Sequence, residues 1–128
     1  MTHRFPLRVY YEDTDLGGIV YHANYLRFTE RARSEWVEAM GIDQMRLKDE
    51  TGTVFAVRRI EADFLAPARL GDRLVVETAV ADRAGARIVL DQIVLRDGVA
   101  LFRARVTLAA MGPSGRPVRL PPALRGPG

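Results

Sequence analysis

The spacing of hydrophobic residues divides the chain into a helical segment near its start and a series of strands after it. Residues 5–12 (FPLRVYYE) predict a first strand. From about residue 21 to residue 40 the hydrophobic positions recur every three or four residues, which predicts an amphipathic helix. Asn24 is placed to cap this helix and Gly41 to end it. Its hydrophobic side is formed by Tyr25, Phe28, Ala32, Trp36 and Ala39 or Met40.

After a polar connection at residues 43–52, the hydrophobic period changes to two, which is the period of strands. Asp97-Gly98 is a strong hairpin signal, so we expect antiparallel pairing and an α+β fold rather than a doubly wound one. On the first of the new strands we place Val54, Ala56, Ile60, Ala62 and Phe64 on one face. The predicted strands cover residues 53–66, 73–81, 86–96 and 100–111.

One long helix covers only one face of such a sheet, yet the strands carry hydrophobic residues on both faces. Leu74 alternates with Val75, and Ile88 with Val89. We therefore expect the second face to pack against another subunit. Residues 113–128 are rich in Pro and Gly and predict an extended surface segment with a frayed end. Residues 1–128 read as one domain.

Composition narrows the function classes. The chain has 128 residues, no cysteine and a formal net charge of +3, with 19 Lys and Arg residues against 16 Asp and Glu residues. The absence of cysteine excludes disulfides and thiolate sites. The arginines are scattered among acids, which argues against a nucleic-acid-binding arm and suits a ligand with a few phosphates. No apolar run reaches membrane-spanning length, and no secretory signal is recognised, so we expect a cytoplasmic protein without membrane insertion.

Residues 12–22 (EDTDLGGIVYH), called the acid–glycine loop below, interrupt the pattern between the first strand and the helix. They hold Glu12, Asp13 and Asp15, then a glycine pair, then His22. The simplest interpretation is a tight turn in which carboxylates cap backbone amides. The alternative is a catalytic loop, because it delivers an acid to a helix N-terminus, where free amides favour negative charge. An acid beside such an oxyanion hole is suited to acyl transfer.

Other chemistries fit this loop poorly. Asp13, Asp15 and Gly18 match three positions of a calcium-binding loop, but Gly17 and Asn24 lack the carboxylates that the pattern requires. The two imidazoles of the chain, on His22 and on a terminal His3 that we expect to be exposed, do not form a zinc motif. Neither Ser34 nor Ser114 lies in a nucleophile elbow. No metal is therefore predicted.

The segment YYEDTDLGGIVYHANYLRFTERAR strongly resembles the start of the hot-dog fold acyl-CoA thioesterases. It is most similar to the YbgC-like branch associated with the Tol-Pal system, which is related to 4-hydroxybenzoyl-CoA thioesterase. The similarity continues into FAVRRIEADFLAPARLGDRLVVET and RPVRLPPAL, so it covers nearly the whole chain. The motif that carries the resemblance consists of Tyr11, Asp15, Gly18, Val20, His22, Asn24 and Tyr25.

The resemblance implies a fold and a set of site residues. The fold is one long helix wrapped by a five-stranded antiparallel sheet. Asp15 matches the catalytic carboxylate, as nucleophile or as general base. The backbone amide of His22 matches the donor that polarises the thioester carbonyl, and the side chains of His22 and Tyr11 match accessory residues. A core position on a strand is the alternative for Tyr11, and Gly18 lets the backbone approach the substrate.

The resemblance also implies a substrate and an assembly. The substrate is an acyl-CoA, so CoA is part of the substrate and no further cofactor is needed. We select Arg83 and Arg87 for contact with the CoA phosphates, with solvated surface arginines as the alternative. The family forms active sites at subunit interfaces, which implies a homodimer or homotetramer. An acyl carrier protein is a possible partner.

Two other functions remain open at this stage. A hot-dog dehydratase acting on a hydroxyacyl thioester would use His22 with an acid on the central helix. The inward positions Phe28, Ala32 and Trp36 offer no such acid. A module that binds acyl carriers or partner proteins without catalysis is the other alternative. The sequence does not define the acyl group.

Overall fold

A computed structural model describes residues 2–126 and has an α+β architecture of two helices and five strands. Short 3-10 turns occupy Tyr11–Asp13 and Pro122–Leu124. The helices are α1 (Asn24–Ala39) and α2 (Gln44–Thr51). The strands are β1 (His3–Arg8), β2 (Val54–Phe64), β3 (Arg73–Ala84), β4 (Arg87–Arg96) and β5 (Val99–Met111).

The five strands form a single antiparallel sheet in the order β1-β3-β4-β5-β2. The two hairpins β3–β4 and β4–β5 are formed by short turns, as the sequence predicts. β1 and β2 lie at the two edges of the sheet, and Pro6 is accommodated in β1 because an edge strand can spare one amide. Helix α1 packs across one face, which confirms the predicted hot-dog arrangement.

Helix α1 forms because its hydrophobic residues repeat on the face that covers the sheet. Tyr25, Phe28, Ala32 and Trp36 are all buried there, as predicted. The predicted cap is wrong: Asn24 is the first helical residue, and Ala23 occupies the cap position without a side-chain hydrogen bond. The end is as expected, since Gly41 adopts φ +86° and its N–H donates to the carbonyl of Glu38.

Helix α2 was not predicted, because residues 43–52 lack a hydrophobic stripe. The residues at its two ends nevertheless have the features of helix caps. The Asp43 side chain accepts a hydrogen bond from the Arg46 N–H at 3.1 Å, and Gly52 ends the helix with φ +71°. No residue of α2 is buried. The helix is therefore specified by its caps rather than by burial.

The alternation of side chains between the two faces of the sheet is interrupted in the middle of strand β2. The register against β5 shifts between Val57 and Arg59, which marks a β-bulge. Before the bulge, Phe55 lies opposite the buried Ala110, and after it, Phe64 lies opposite the buried Phe102. The prediction that Val54 and Ala56 share a face with Ile60, Ala62 and Phe64 is therefore wrong, because the extra residue inverts the alternation.

The C-terminal segment is packed rather than frayed over the part that the structure describes. Leu120 and Leu124 are buried in the core, and Val118 N–H donates to the Ala110 carbonyl at 2.9 Å. The Arg125 Nε also donates to the Leu120 carbonyl at 2.7 Å. Most of the described residues of this segment are exposed, as expected of a surface segment, but the sequence analysis did not predict that Leu120 and Leu124 anchor it to the core. The predicted frayed end at residues 127–128 lies outside the described residues.

Within residues 2–126, no helix has the length and apolar character required to cross a membrane. The same residues contain no group of three or more His, Asp or Glu side chains able to hold a metal ion. His3, predicted to be exposed, lies half-buried in β1 opposite Thr78, because the first strand begins earlier than the sequence pattern indicates.

Candidate active site

The acid–glycine loop is fixed to the segment that connects β2 to β3. Val20 N–H donates to the Ala68 carbonyl at 2.8 Å, and Ile19 forms an isolated β-bridge with Arg69. The loop also folds on itself, because Thr14 bridges to Val20. These backbone contacts hold the loop in one conformation against the start of α1.

Asp13 anchors the base of the loop. Its side chain is only 2% exposed. One carboxylate oxygen accepts the Tyr10 N–H at 2.9 Å, and the other accepts the Asn24 side-chain amide at 2.9 Å. The Asp13 carbonyl also accepts the Tyr21 N–H. This confirms the capping role expected for Asp13 and explains why the Asn24 side chain does not cap α1.

Asp15 differs from Asp13 because one of its oxygens is left open. The residue is exposed, and its Oδ1 accepts the Gly17 N–H at 2.9 Å. Within the described residues, no donor is bound to Oδ2. The Asp15 backbone is held separately, because its N–H donates to the Ile19 carbonyl at 3.0 Å. The carboxylate is thus oriented by one bond and free to contact water or a substrate with its second oxygen.

The two glycines of the loop have different reasons to be glycine. A Cβ on Gly17 would lie 3.2 Å from Asp15 Oδ1, so a side chain there would crowd the carboxylate. Gly18 has φ +74°, a conformation that other residues rarely adopt. Its N–H donates to the Asp15 carbonyl at 3.0 Å, which closes the turn. Both glycines therefore set the position of Asp15.

The N-terminus of α1 presents free amides next to this loop. Among residues 2–126, no acceptor is bound to the backbone N–H of His22 or of Ala23. The absence of a side-chain cap leaves these amides open, and the helix macrodipole adds to their positive potential. An oxyanion is the kind of group that such donors stabilise.

A hydrophobic cleft of about 350 Å³ opens beside His22. His22 lies edge-on to Phe64, with ring centroids 6.2 Å apart, and Tyr25 stacks on Phe102 at 5.0 Å. The Tyr25 hydroxyl accepts the Ala68 N–H at 2.9 Å, and burial raises the pKa of this phenol. The remaining lining comes from Ile19, Val20, Leu65, Ala66 and Pro67. The cleft can thus accept an apolar group beside the free amides.

The structure brings only some of the predicted residues together. Asp15, Gly18 and the His22 amide share one loop, but the described hydrogen bonds do not include one between Asp15 and the His22 ring. Tyr11 is 83% exposed in a 3-10 turn, so its alternative role as a core aromatic on a strand is wrong, because β1 ends at Arg8. Its accessory role stays a prediction.

The two arginines selected for phosphate contact lie far from the loop within one chain. Arg83 and Arg87 flank the β3–β4 turn, whereas the acid–glycine loop contacts the segment that leads into the start of β3 at Arg73. At about 3.3 Å per residue, the ten residues between Arg73 and Arg83 span about 33 Å. Arg87 forms a 3.6 Å ion pair with Asp82. A role in CoA binding would require that these arginines come from another subunit.

The sequence analysis missed the part of the cleft that follows β2. Phe64, Leu65 and Pro67 line it, and Phe64 is 55% exposed despite its size. The signal was present, since large hydrophobic residues run directly into a proline that ends the strand. Alternation alone placed Phe64 on one face of the strand and gave Leu65 no role.

Comparison with known proteins supports the relationship that the motif indicates. The family model described as the thioesterase-like superfamily matches residues 9–127. Acyl-CoA thioesterase YbgC of Haemophilus influenzae is 44% identical over 107 residues, which cover 84% of this chain and 79% of that protein. Acyl-CoA thioester hydrolase YbgC of Escherichia coli O6:H1 is 41% identical over 111 residues, covering 86% of this chain and 82% of that protein.

Solved structures agree with the fold. A probable thioesterase from Bartonella henselae superposes with a TM-score of 0.90 at 37% identity, covering 94% of this chain and 100% of that one. A 4-hydroxybenzoyl-CoA thioesterase in complex with 4-hydroxybenzoyl-CoA has a TM-score of 0.88 at 22% identity over 94% of each chain, which shows the shared fold alone. The chain belongs to the thioesterase-like superfamily and, within it, to the YbgC family of hot-dog thioester hydrolases.

Proposed function

We propose that the protein hydrolyses an acyl-CoA to a free acid and CoA, with Asp15 as the catalytic carboxylate. The observation that carries the proposal is that Asp15, whose carboxylate has one oxygen free, lies on the same loop as the open amide of His22. The printed names of the two YbgC relatives, an acyl-CoA thioesterase and an acyl-CoA thioester hydrolase, support the same substrate class.

In the general-base route, Asp15 removes a proton from water, and the oxygen of that water adds to the thioester carbonyl carbon. The carbonyl oxygen becomes an oxyanion that the N–H of His22 stabilises. The carbon–sulfur bond then breaks, CoA leaves as a thiolate that takes a proton from solvent, and Asp15 releases its proton to solvent, which regenerates the carboxylate. A thiolate is a stable leaving group, so the site needs only a carbonyl polariser and a water activator.

In the nucleophilic route, the Asp15 carboxylate attacks the carbonyl carbon itself and expels the CoA thiolate. The resulting mixed anhydride is then hydrolysed by water, which regenerates the carboxylate. Label found by mass spectrometry in the peptide that contains Asp15, after single-turnover hydrolysis in ¹⁸O-labelled water, identifies an anhydride route in which water attacks the Asp15 carbonyl carbon.

The cleft favours a short-chain or aromatic acyl group. Its volume of about 350 Å³ is at the low end for small-molecule sites, and its walls are mostly apolar. The aromatic rings of His22, Tyr25 and Phe64 line this cleft, and such rings suit contact with a flat acyl group. Phe64 is largely exposed in one chain, so a second subunit would complete this wall.

The proposal includes a homodimer or homotetramer that works in the cytoplasm. Around the loop, Tyr10, Leu16, Tyr21, Leu65 and Leu70 are all exposed hydrophobic residues, a pattern that marks a binding surface. The substrate or a partner subunit would cover them. An acyl carrier protein remains a possible carrier, since acyl-acyl carrier protein thioesterase ATL3 of Arabidopsis thaliana is 27% identical over 96% of this chain.

The test is a thiol-release assay with acyl-CoA esters of increasing chain length and with aromatic acyl-CoAs. We expect Asp15→Asn to lower kcat at least about 100-fold, since general acid–base groups typically contribute that much. Glu12→Gln removes the neighbouring exposed carboxylate and serves as the matched control, with activity near that of the wild type. Equal turnover by wild type and Asp15→Asn would exclude the mechanism.

The same assay separates the alternatives. A dehydratase would form an enoyl thioester without releasing thiol, and the buried positions Phe28, Ala32 and Trp36 on α1 supply no acid for that reaction. A binding module would bind CoA esters tightly and release no thiol from any of them.

A further inference from the structure

Arg33 is a charged residue buried in the interior of the chain. It lies on α1 and is only 8% exposed. Its Nη1 donates to Gln92 Oε1 at 3.0 Å and to Thr29 Oγ1 at 3.4 Å. Gln92 in turn donates to the Thr29 carbonyl and to Thr78 Oγ1, both at 3.0 Å. The guanidinium is therefore held in place by neutral groups of α1, β4 and β3.

This cation has no carboxylate partner in the described part of the chain. None of the six ion pairs there includes Arg33. Burial lowers the pKa of the Arg33 guanidinium, and the carboxylate of Glu30 acts weakly in the opposite direction. An arginine stays protonated in proteins, so the charge persists. A buried charge without a counter-ion is unfavourable, and an anion would relieve it.

A cavity of about 120 Å³ lies against this guanidinium, between α1, α2 and β2. Ser34 and Gln44 contribute further polar groups to it, and Phe55 and Val57 form an apolar wall. The Nε and Nη2 groups of Arg33 have no acceptor among the described residues, which leaves one edge of the guanidinium fork unused. At about 30 Å³ per water, the cavity has room for about four waters, the size of a small carboxylate.

We propose that this cavity is a carboxylate-binding site, in which Arg33 binds the ligand through the free edge of its guanidinium. Planar guanidinium groups pair with carboxylates through two parallel hydrogen bonds, and the apolar wall would contact a short carbon chain. The site lies nine residues along α1 from Asn24, which is about 14 Å from the helix N-terminus. It is therefore separate from the acid–glycine loop and does not depend on the proposed hydrolysis.

Glu30 is the internal competitor for this site. It borders the same cavity from one turn earlier on α1, and it is exposed. A rotation of its side chain would bring its carboxylate toward Arg33 and exclude an external ligand. Glu30→Gln removes this competitor, so we expect the variant to bind a carboxylate more tightly than the wild type does.

The direct test follows the Arg33 Nε–H signal by nitrogen-15 NMR during titration with sodium acetate. We expect a saturable shift of this signal that sodium chloride at equal ionic strength does not produce. Thermal unfolding gives a second measurement: acetate at ten times its dissociation constant should raise Tm by roughly 3–6 °C. The exposed Arg27 on the same helix is the matched control, and Arg27→Gln should keep the full response.

Two variants separate binding from folding. Arg33→Gln removes the charge and should abolish the acetate response. Arg33→Lys keeps the charge in the buried network but lacks the planar fork, so it should fold and bind acetate at least about tenfold more weakly. A folded Arg33→Lys protein with an unchanged acetate response would overturn the proposal. So would an Arg33 signal that shifts no more with acetate than the signal of Arg27.

The carboxylate has two possible sources, a free small acid or the far end of an acyl group that reaches the cavity across a subunit interface. Thiol release from succinyl-CoA and glutaryl-CoA, compared with butyryl-CoA and valeryl-CoA, distinguishes them. A preference for the carboxyacyl esters that Arg33→Gln removes supports the site and identifies the acyl group as the ligand. Acetate binding without this preference supports the site as one for a free acid.

Discussion

Asp13 and Asp15 are chemically identical and two residues apart, yet their hydrogen bonds give them opposite roles. Asp13 is buried and uses both carboxylate oxygens within the loop. Asp15 is exposed and uses one oxygen within the loop, which leaves its second oxygen free to accept a hydrogen bond at the surface. A carboxylate that is fully bound has no capacity left for water or substrate. The number of hydrogen-bond donors, rather than the residue type, distinguishes the structural acid from the acid that we propose to be catalytic.

This difference predicts that substitutions of Asp13 and Asp15 change the stability of the protein to different extents. In Asp13→Asn, an amide NH₂ group would face either the Tyr10 N–H or the Asn24 amide, so one buried donor would lose its acceptor. We expect a loss of about 1–3 kcal/mol in the free energy of unfolding, measured in urea. Asp15→Asn should unfold within about 0.5 kcal/mol of the wild type, as is usual for an exposed site. Equal stability of the two variants would contradict these roles.

Asp15 could be selected from the sequence, but Arg33 could not. The acid–glycine loop carried a recognisable motif, and its position before a helix pointed to the free amides. Arg33 belongs to a second buried stripe of α1, formed with Thr29 and Val37 at four-residue steps. Two of those three residues are polar, so a hydrophobicity pattern does not detect the stripe. Their burial depends on Gln92 and Thr78, which come from distant strands.

Among the elements, β2 is an edge strand with several exposed hydrophobic side chains. It pairs with β5 on one side, and its other side is the edge of the sheet. Val54, Val57, Ile60 and Phe64 are exposed along it. A long apolar edge strand is a template for pairing with another chain. The same strand borders both the hydrophobic cleft and the Arg33 cavity, so an added subunit would close both.

We expect β2 to form the subunit interface. Ile60→Asp places a charge in the middle of this edge and should produce a monomer in sedimentation experiments. Thiol release should fall at least about tenfold, because the cleft would lose its outer wall. Val99→Asp introduces the same change at an exposed position of the β4–β5 hairpin and should retain the oligomer and its activity. A monomeric Ile60→Asp protein with full activity would show that the site is complete within one chain.

Element types were predictable where burial is periodic and unpredictable where it is not. The long helix and the three strands of the β3–β4–β5 meander follow the hydrophobic pattern closely. Helix α2 was not predicted because it buries no residue, and residues 43–52 were predicted only as a polar connection. The bulge in β2 was not predicted, because the hydrophobic pattern of one strand does not reveal how that strand pairs with its neighbour. Local caps specify α2, whereas pairing with β5 determines the bulge in β2.

At the scale of the whole molecule, Asp72 joins the parts that surround the site. Its carboxylate accepts the Arg96 guanidinium at 2.7 Å and the Arg69 N–H at 2.9 Å, and its carbonyl accepts the Val9 N–H. The ends of β1 and β4 and the start of β3 meet there. Partial burial acts to raise the pKa of Asp72, but the hydrogen bonds and the charge of Arg96 outweigh it, so the pKa lies below its ordinary value of 3.8.

A lowered pKa makes this junction sensitive to acid. The stabilisation by ionised Asp72 is fully present above pH 3.8, the ordinary value, and is lost as pH falls through the lower pKa of the folded state. We expect Asp72→Asn to be less stable than the wild type near neutral pH and to converge with it as pH falls through the lowered pKa of Asp72. Chemical unfolding across this range measures the difference.

Asp49→Asn is the control for this pH dependence. Asp49 is exposed on α2, and the described residues do not include a hydrogen-bond partner for its side chain. Its substitution should leave the difference from wild type nearly constant with pH. A constant difference for Asp72→Asn as well would show that the carboxylate is not stabilised by this junction.

The strand order has a consequence for how the chain reaches this structure. β3, β4 and β5 are consecutive and close through short turns, whereas β1 pairs with β3 about seventy residues later and β2 with β5 about fifty residues later. Because loop closure costs more entropy as the loop grows, we expect the meander to form first and the two outer strands to join last. During synthesis β2 emerges well before its partner β5, so its exposed apolar residues have no neighbouring strand until β5 has been made. A strand that an assembled enzyme would hide between subunits is thus left open to misassociation in the nascent chain.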